Sequence, residues 1–476
     1  VIEENSQEYY SWFGVDEALC SRVMAAAMDR GADYADLYFQ HSAGNSVLLE
    51  DGIVSRASSN VDRGVGIRVV VGDQTGYAYS EVLEESAMRE AARTAASIAA
   101  AGGGAPPQGF SGKGSPDLYQ LKEGWDEVRV DRKLPLLRRA EALALGMDPA
   151  IEKATISWAD ADSRVLILTS DGTLATDRRP MARMFCSVVA GKGGERQANS
   201  ANIAGRRGLT WFSDERIEQM CRDAVDRTMI LFDARRPPAG QMPVVLAAGA
   251  SGILLHEAVG HGMEADFNRK GTSIYSKMMG ERVAPSSVTI VDSAMHPHER
   301  GALNIDDEGN ETERTVLVEQ GIMRSYLHDR ISAKHYGVQP TGSGRRQSFR
   351  CVPMPRMRCT YMESGEHSRD EIISEVKQGI VAETFTNGQV QIGAGDFTFY
   401  IKNGWLIEDG RITAPIKDVN IIGNGPEAIR NITMVADDMK LDTGGWTCGK
   451  EGQSVPVSQG MPTVLVSQLT VGGEDA

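Results

Sequence analysis

Arg235-Arg236-Pro237-Pro238-Ala239-Gly240 divides the sequence into two stretches of different character. Consecutive prolines lack N–H donors and fix φ, so neither a helix nor an interior strand runs through them. A domain boundary is therefore expected here, with an N-terminal domain over residues 1–236 and a C-terminal domain over residues 237–476. A chain of 476 residues also exceeds what one ordinary core encloses. Upstream, helices alternate with hairpin signals. Residues 16–30 place Leu19, Val23, Ala26 and Ala27 on one helical face, with Asp16 as cap and Gly31 as stop. Asp51-Gly52 between residues 47–50 and 53–54 suits a tight hairpin turn, and residues 65–71 and 75–79 form a second pair. Residues 81–101 are Ala-rich and helical up to Gly102-Gly103-Gly104, and a Gly, Pro and Ser-rich loop runs on to Pro116. Strands 164–169 and 173–176 flank Asp171-Gly172, residues 184–190 make another, and Ser213 caps a helix ending at Ile230.

Downstream, a strand over 243–248 feeds a helix, and the chain then becomes mostly β. Residues 316–319 and 322–327 pair across Gln320-Gly321, residues 398–401 and 405–407 pair across Asn403-Gly404, and Asp409-Gly410 marks another turn. Ser368 and Glu371 have capping-box spacing for a short helix to Gln378, and Pro426 suits the first turn of another. The pattern predicts an α+β fold of two domains. The first is an N-terminal α/β domain with hairpins and flanking helices. The second is a strongly curved or barrel-like β domain carrying a helix with the sequence H-E-x-x-x-H.

Composition excludes several function classes. A net charge of −15 repels phosphate backbones and anionic lipid, which counts against direct nucleic-acid or membrane-surface binding. The longest weakly polar stretch, residues 242–255, is too short to span a bilayer. The six cysteines lie far apart without a C-x-x-C, which predicts a reducing, cytoplasmic setting. Cys20, Cys186, Cys221, Cys351 and Cys359 are expected in the core, whereas Cys448 sits in a glycine-flanked loop where a thiol can be aimed.

The most chemical stretch is Leu255-His256-Glu257-Ala258-Val259-Gly260-His261-Gly262. Two imidazoles flank a carboxylate as in the zinc protease H-E-x-x-H, but with one residue more. On a regular helix i and i+4 lie about 40° apart, whereas i and i+5 lie about 140° apart. Either a π-bulge absorbs the extra residue, or the helix ends at Gly260 and the Gly-His-Gly segment swings His261 back. A catalytic zinc usually takes three protein ligands, leaving a fourth position for water. Glu264, Asp266, the other histidines and Cys448 are candidates for the third, and spacing alone does not choose among them.

Residues 256–270 (HEAVGHGMEADFNRK) resemble the signature of the TldD family, the TldD/PmbA proteases once called modulators of DNA gyrase. The likeness continues through NIDDEG (304–309), PTGSGRR (340–346), PMPRM (353–357), IGNGPEAI (422–429) and CGKEGQSVPV (448–457), ending at Val471-Gly472-Gly473. It implies zinc held by His256, His261 and Cys448, with Glu257 as general base. The PmbA (TldE) partner of such enzymes lacks these residues, which puts this sequence on the TldD side. The resemblance further implies cleavage of unfolded peptides in an enclosed chamber, formed with a TldE/PmbA-like subunit or a second copy. Cys359 and Thr386-Asn387-Gly388 depart from the family pattern, away from the metal residues. His41, His296, His298, His328, His335 and His367 are expected to be surface or structural. Asp306-Asp307-Glu308 reads as a second metal site or a solvated acidic turn, with Arg345, Arg346 and Arg350 as the cations that pair with it. Two rival readings are a zinc hydrolase of small amides, and a non-enzymatic regulator of toxin or topoisomerase systems with structural zinc.

Overall fold

The computed structural model describes residues 2–99, 104 and 106–472. Asp51 and Gly52, both in the left-handed region (φ 53° and 72°), make the tight turn that joins strands Tyr34–Glu50 and Ile53–Val71. Gly172 (φ 92°) helps turn Ile151–Thr169 into Thr173–Lys192. These strands are 17 to 20 residues long, well beyond the segments expected, and residues 184–190 are the far end of Thr173–Lys192 rather than a separate strand. Pro180 lies in that span, yet it sits opposite Asp162 in an unbroken register and burial alternates on past it, so the pairing runs on to Ala190.

The sheet runs Gln74–Ser80, Ile53–Val71, Tyr34–Glu50, Ile151–Thr169, Thr173–Lys192, with Glu195–Gly205 also on the last strand. Helices Ile2–Phe13, Glu17–Met28 and Glu85–Ile98 cover one part of it through Phe13, Val23, Met24, Phe39, Ile67 and Met88. Asp16 caps the second of these as expected, accepting from the Leu19 N–H at 2.7 Å. The expected end of the Ala-rich helix at residues 101–103 lies outside the described residues. Helices Val130–Met147 and Asp214–Met229 cover the other part, over Trp125, Trp158 and Phe212. Ser213 stands at the N-cap of the latter, but its side chain makes no capping bond.

In the second half, strands Gln378–Val390, Gly240–Leu246, Val464–Gly472, Val419–Asn424 and Asp396–Glu408 pair in that order. Asp396–Glu408 then pairs back onto Gln378–Val390 and closes a five-stranded barrel. The first barrel strand starts at Gly240, three residues before the expected Pro243. A six-stranded sheet flanks the barrel, running Ile322–Met323, Arg314–Glu319, Ile290–Ser293, Cys359–Met362, Ser458–Met461 and Lys440–Leu441. The turn at Gln320-Gly321 forms as expected, but its second strand stops at Met323. Asp409-Gly410 is also a left-handed turn (φ 48° and 72°).

Asn403-Gly404 is not a turn; both residues lie inside Asp396–Glu408. The Asn403 amide donates to the Arg227 carbonyl at 2.9 Å, and its oxygen accepts from Thr384 and Asn199 at 2.8 Å each. Those bonds hold the chain straight where the dipeptide alone favours reversal. The capping box at Ser368 and Glu371 forms, but its helix, Arg369–Ser374, ends before Gln378, which opens a barrel strand. Pro426 occupies the first turn of Gly425–Arg430. Among the described residues no helix is long and apolar enough to cross a membrane.

Candidate metal centre

The apolar turn Gly252–Leu255 leads into a π turn over His256–Gly260 and a 3₁₀ turn over His261–Met263. The His261 N–H bonds the His256 carbonyl five residues back, which absorbs the extra residue of H-E-x-x-x-H. The two rings end on one side of the turn, with centroids 5.0 Å apart and planes at 85°. Of the two geometries open from sequence, this is the π-bulge. Gly260 keeps a helical φ of −57°, so its lack of a side chain serves close approach instead. A Cβ there would lie 1.9 Å from the Met357 sulfur. Side chains satisfy the carbonyls that the irregular turns release. Tyr275 donates its hydroxyl to the Ala258 carbonyl (3.0 Å), while Ser273 and Asn268 donate to that of Gly262 (2.6 and 2.8 Å).

Cys448 arrives on the hairpin Thr447–Lys450/Gln453–Pro456, turned at Glu451-Gly452 (φ 48° and 74°). Arg356 donates to the Cys448 carbonyl at 2.6 Å, and Arg345 to that of Pro456 at 2.7 Å. The Gly445 N–H reaches Asn202 Oδ1 in the N-terminal sheet, so the first half of the chain braces the loop. The Cys448 sulfur lies 3.4 Å from His261 Nε2. Ligand atoms of His256, His261 and Cys448 all fall within 4.8 Å of one another, and all three residues are buried. No other such group of three occurs among the described residues.

The charges are arranged for a cation. Burial raises the Cys448 thiol, but the His256 and His261 imidazoles beside it more than compensate and bring it down to about 4. Burial alone depresses His261, while the Glu264 carboxylate and the Cys448 sulfur carry it well above the ordinary imidazole range. A metal takes up the thiolate and neutral imidazoles, so its binding releases the protons these groups carry. His256 Nδ1 is buried without a hydrogen-bond partner. Two imidazole nitrogens and a thiolate suit zinc, and three protein donors leave one position open. Glu257 is the only residue over 251–263 that is not buried.

Glu264 and Asp266, weighed from spacing as third ligands, stand behind the site. Glu264 Oε2 lies 3.0 Å from His261 Nδ1 and 3.0 Å from Lys450 Nζ. Burial raises the Glu264 carboxyl, and Lys450 and His261 more than offset it, to about 2. Asp266 accepts from Lys450 at 2.8 Å. Lys450, Arg356 and Met357 lie within the quoted motifs, but the sequence assigned them no role. Only Lys450 carried a signal, two residues past Cys448 and so on the same face of its strand.

Asp306-Asp307-Glu308 is neither solvated nor one of the convergent groups: all three residues are buried. Arg68, from the N-terminal sheet, joins Asp36 at 2.6 Å to Glu308 at 2.7 Å. Arg346 spans from Asp36 (3.1 Å) to the Asp307 carbonyl (2.8 Å), and Arg179 binds Asp307 as well. Of the three expected cations only Arg346 takes part. Arg345 binds carbonyls, and Arg350 binds Asp62 and Glu81. The remaining six histidines stay outside the convergent group, and four of the five core cysteines are buried, Cys351 being half-buried.

Family models described as PmbA/TldA metallopeptidase domain 1, central domain and C-terminal domain match residues 35–99, 123–232 and 239–473. The chain is 42% identical to the metalloprotease TldD homolog of Haemophilus influenzae over 451 residues, 93% of this chain and 94% of that protein. It is 26% identical to the zinc metalloprotease TldD homolog of Saccharolobus solfataricus over 461 residues, covering 95% and 99%. Two solved structures share the fold. One, described as a modulator of a DNA gyrase from Thermotoga maritima, gives a TM-score of 0.79 at 23% identity and covers 96% of this chain and 100% of that one. The other, TldE from Thermococcus kodakarensis, gives 0.74 at 19% identity, with the same coverage.

Proposed function

The chain belongs to the PmbA/TldD metallopeptidase family, and from that premise we propose that it is the metal-bearing subunit of a TldD-type zinc peptidase cleaving unfolded proteins or peptides. The observation that carries this reading is the convergence of His256, His261 and Cys448 beside a half-buried Glu257. These three residues would hold zinc, which when bound supplies a Lewis acid and an acidified water. Glu257 takes the proton of the attacking water and hands it to the departing amine. Along this short irregular segment Glu257 is half-buried while both histidines are buried, so base and ligands come from one stretch of backbone.

The working enzyme pairs this chain with a TldE/PmbA-like subunit or a second copy, enclosing a chamber that admits extended chains and excludes folded ones. The TldE-like fold supports a pseudo-symmetric partner. Residues 1–236 serve as the domain for substrate chamber and partner contacts, and residues 237–476 as the metalloprotease domain. Six free cysteines support a reducing, cytoplasmic setting. Digestion of unfolded casein and of dipeptides by the purified chain, with and without a TldE-like partner and with zinc content verified, tests the reading. Casein should be cut and dipeptides spared. Cleavage of dipeptides alone transfers the chain to small-amide hydrolysis, and no cleavage with any partner removes the peptidase assignment.

A further inference from the structure

We propose that Glu264 and Lys450 form a positioning pair, which orients His261 for the metal and locks the Cys448 hairpin onto the histidine segment. This rests on the zinc reading above. His261 and Cys448 lie 187 positions apart in the chain, and the local backbone of neither segment sets their relative register. Lys450 does so. Along Thr447–Lys450 exposed and buried residues alternate, so Cys448 and Lys450 share the buried face. While the Cys448 sulfur meets His261 Nε2 at 3.4 Å, the Lys450 ammonium reaches Glu264 (3.0 Å), Asp266 (2.8 Å) and the Pro355 carbonyl (3.0 Å).

Glu264 completes a ring of contacts. Its Oε2 faces His261 Nδ1 at 3.0 Å, while Oε1 has no partner, so one oxygen serves both the imidazole and the ammonium. A carboxylate on Nδ1–H assigns the proton to that nitrogen and leaves the Nε2 lone pair facing the sulfur, where a shared metal would sit. The carboxylate also raises the basicity of the ring as a donor. Both side chains are sealed from solvent, at 0% and 2% exposure, so water does not substitute for either. Neither group reaches substrate, and the role is one of positioning.

The test uses the full chain as wild type, Glu264→Gln, Glu264→Leu and Lys450→Met. Each is stripped of metal and titrated with zinc against a chromophoric chelator. The absorption spectrum of the cobalt(II)-loaded form is recorded alongside, together with a thermal melt of the metal-free form. Glu264→Leu should weaken zinc binding about 10–100-fold, the usual loss when a metal-bound histidine's partner is removed. Glu264→Gln should lose less, because its amide oxygen still accepts from Nδ1–H. Lys450→Met should weaken binding and shift the cobalt–thiolate bands, because the hairpin loses its register. If Glu264→Leu does not fold, the Gln and Met variants carry the comparison. Wild type failing to bind zinc overturns the metal reading itself. Wild type binding zinc while the folded variants match it in affinity and spectrum overturns the positioning role alone. So does equal loss in Gln and Leu, since the hydrogen bond would then be irrelevant.

Discussion

In the seam between the two halves, Arg68 is held between Asp36 and Glu308, and Asp307 between Arg179 and Arg346. Burial raises the Asp307 carboxyl, and those two guanidiniums hold it below the usual carboxylate range. In the metal centre Glu264 and Lys450 are sealed just as deeply, yet His256, His261 and Cys448 turn ligand atoms toward one another, and of the three only His261 also pairs with a carboxylate. Buried ionic groups whose partners are all protein cement two surfaces. Buried donors left facing each other await a cation. The difference separates architecture from chemistry in one chain, and substitutions on either side should produce different failures.

The largest effect belongs to the metal side. Glu257→Gln should keep zinc and thermal stability but lose about 10²–10⁴-fold in peptide hydrolysis, because an amide cannot take the water proton. Casein cleavage by variant and wild type, each with its partner, measures this; equal rates would end the base assignment. On the seam side, Arg68→Met leaves Glu308 buried without its cation and Asp36 with Arg346 alone. Denaturant unfolding should show a loss of about 3–5 kcal/mol, with zinc content per folded chain unchanged. A folded Arg68→Met that no longer binds zinc would break the distinction.

Two buried histidines sharpen the contrast. His261 has a carboxylate and rises, whereas burial against Tyr326 and Tyr336 depresses His328 to about 4. The folded state therefore keeps His328 neutral while the unfolded chain protonates it near the ordinary value of about 6.5. Its contribution is fully present above that value and is lost as the pH falls to about 4, where it levels off. Stability of His328→Gln measured against wild type from pH 7 to pH 4 should show wild type losing ground; a constant difference would mean that His328 does not titrate across the window. The smallest effect calibrates the rest. Ser368→Ala, which removes an exposed cap that bonds neither the seam nor the metal-centre residues, should cost about 1 kcal/mol and leave zinc binding untouched.

Much of this was legible in the sequence wherever a residue's role is local. Asp51-Gly52 and Asp409-Gly410 turn because their own backbones take left-handed φ values. The i+5 spacing of the histidines demanded an irregular turn, and a π turn is present. What stayed hidden depends on residues far away in the chain. Asn403-Gly404 reads as a turn until Asn199, Arg227 and Thr384 bind Asn403 and hold it in a strand. Asp306-Asp307-Glu308 reads as a second metal site or a solvated turn because Arg68 and Arg179 come from strands of the N-terminal sheet, far away in the chain. Glu264 looked like a ligand by spacing, and only Lys450 and His261 Nδ1 show that it stands one layer behind.

Zinc held by two imidazoles and one thiolate has a distinct signature in zinc K-edge X-ray absorption of the loaded full chain. One sulfur neighbour is expected at about 2.3 Å with nitrogen or oxygen neighbours at about 2.0–2.2 Å, and the sulfur shell is lost in Cys448→Ala. A wild-type shell with no sulfur, or one unchanged by Cys448→Ala, would contradict this ligand set.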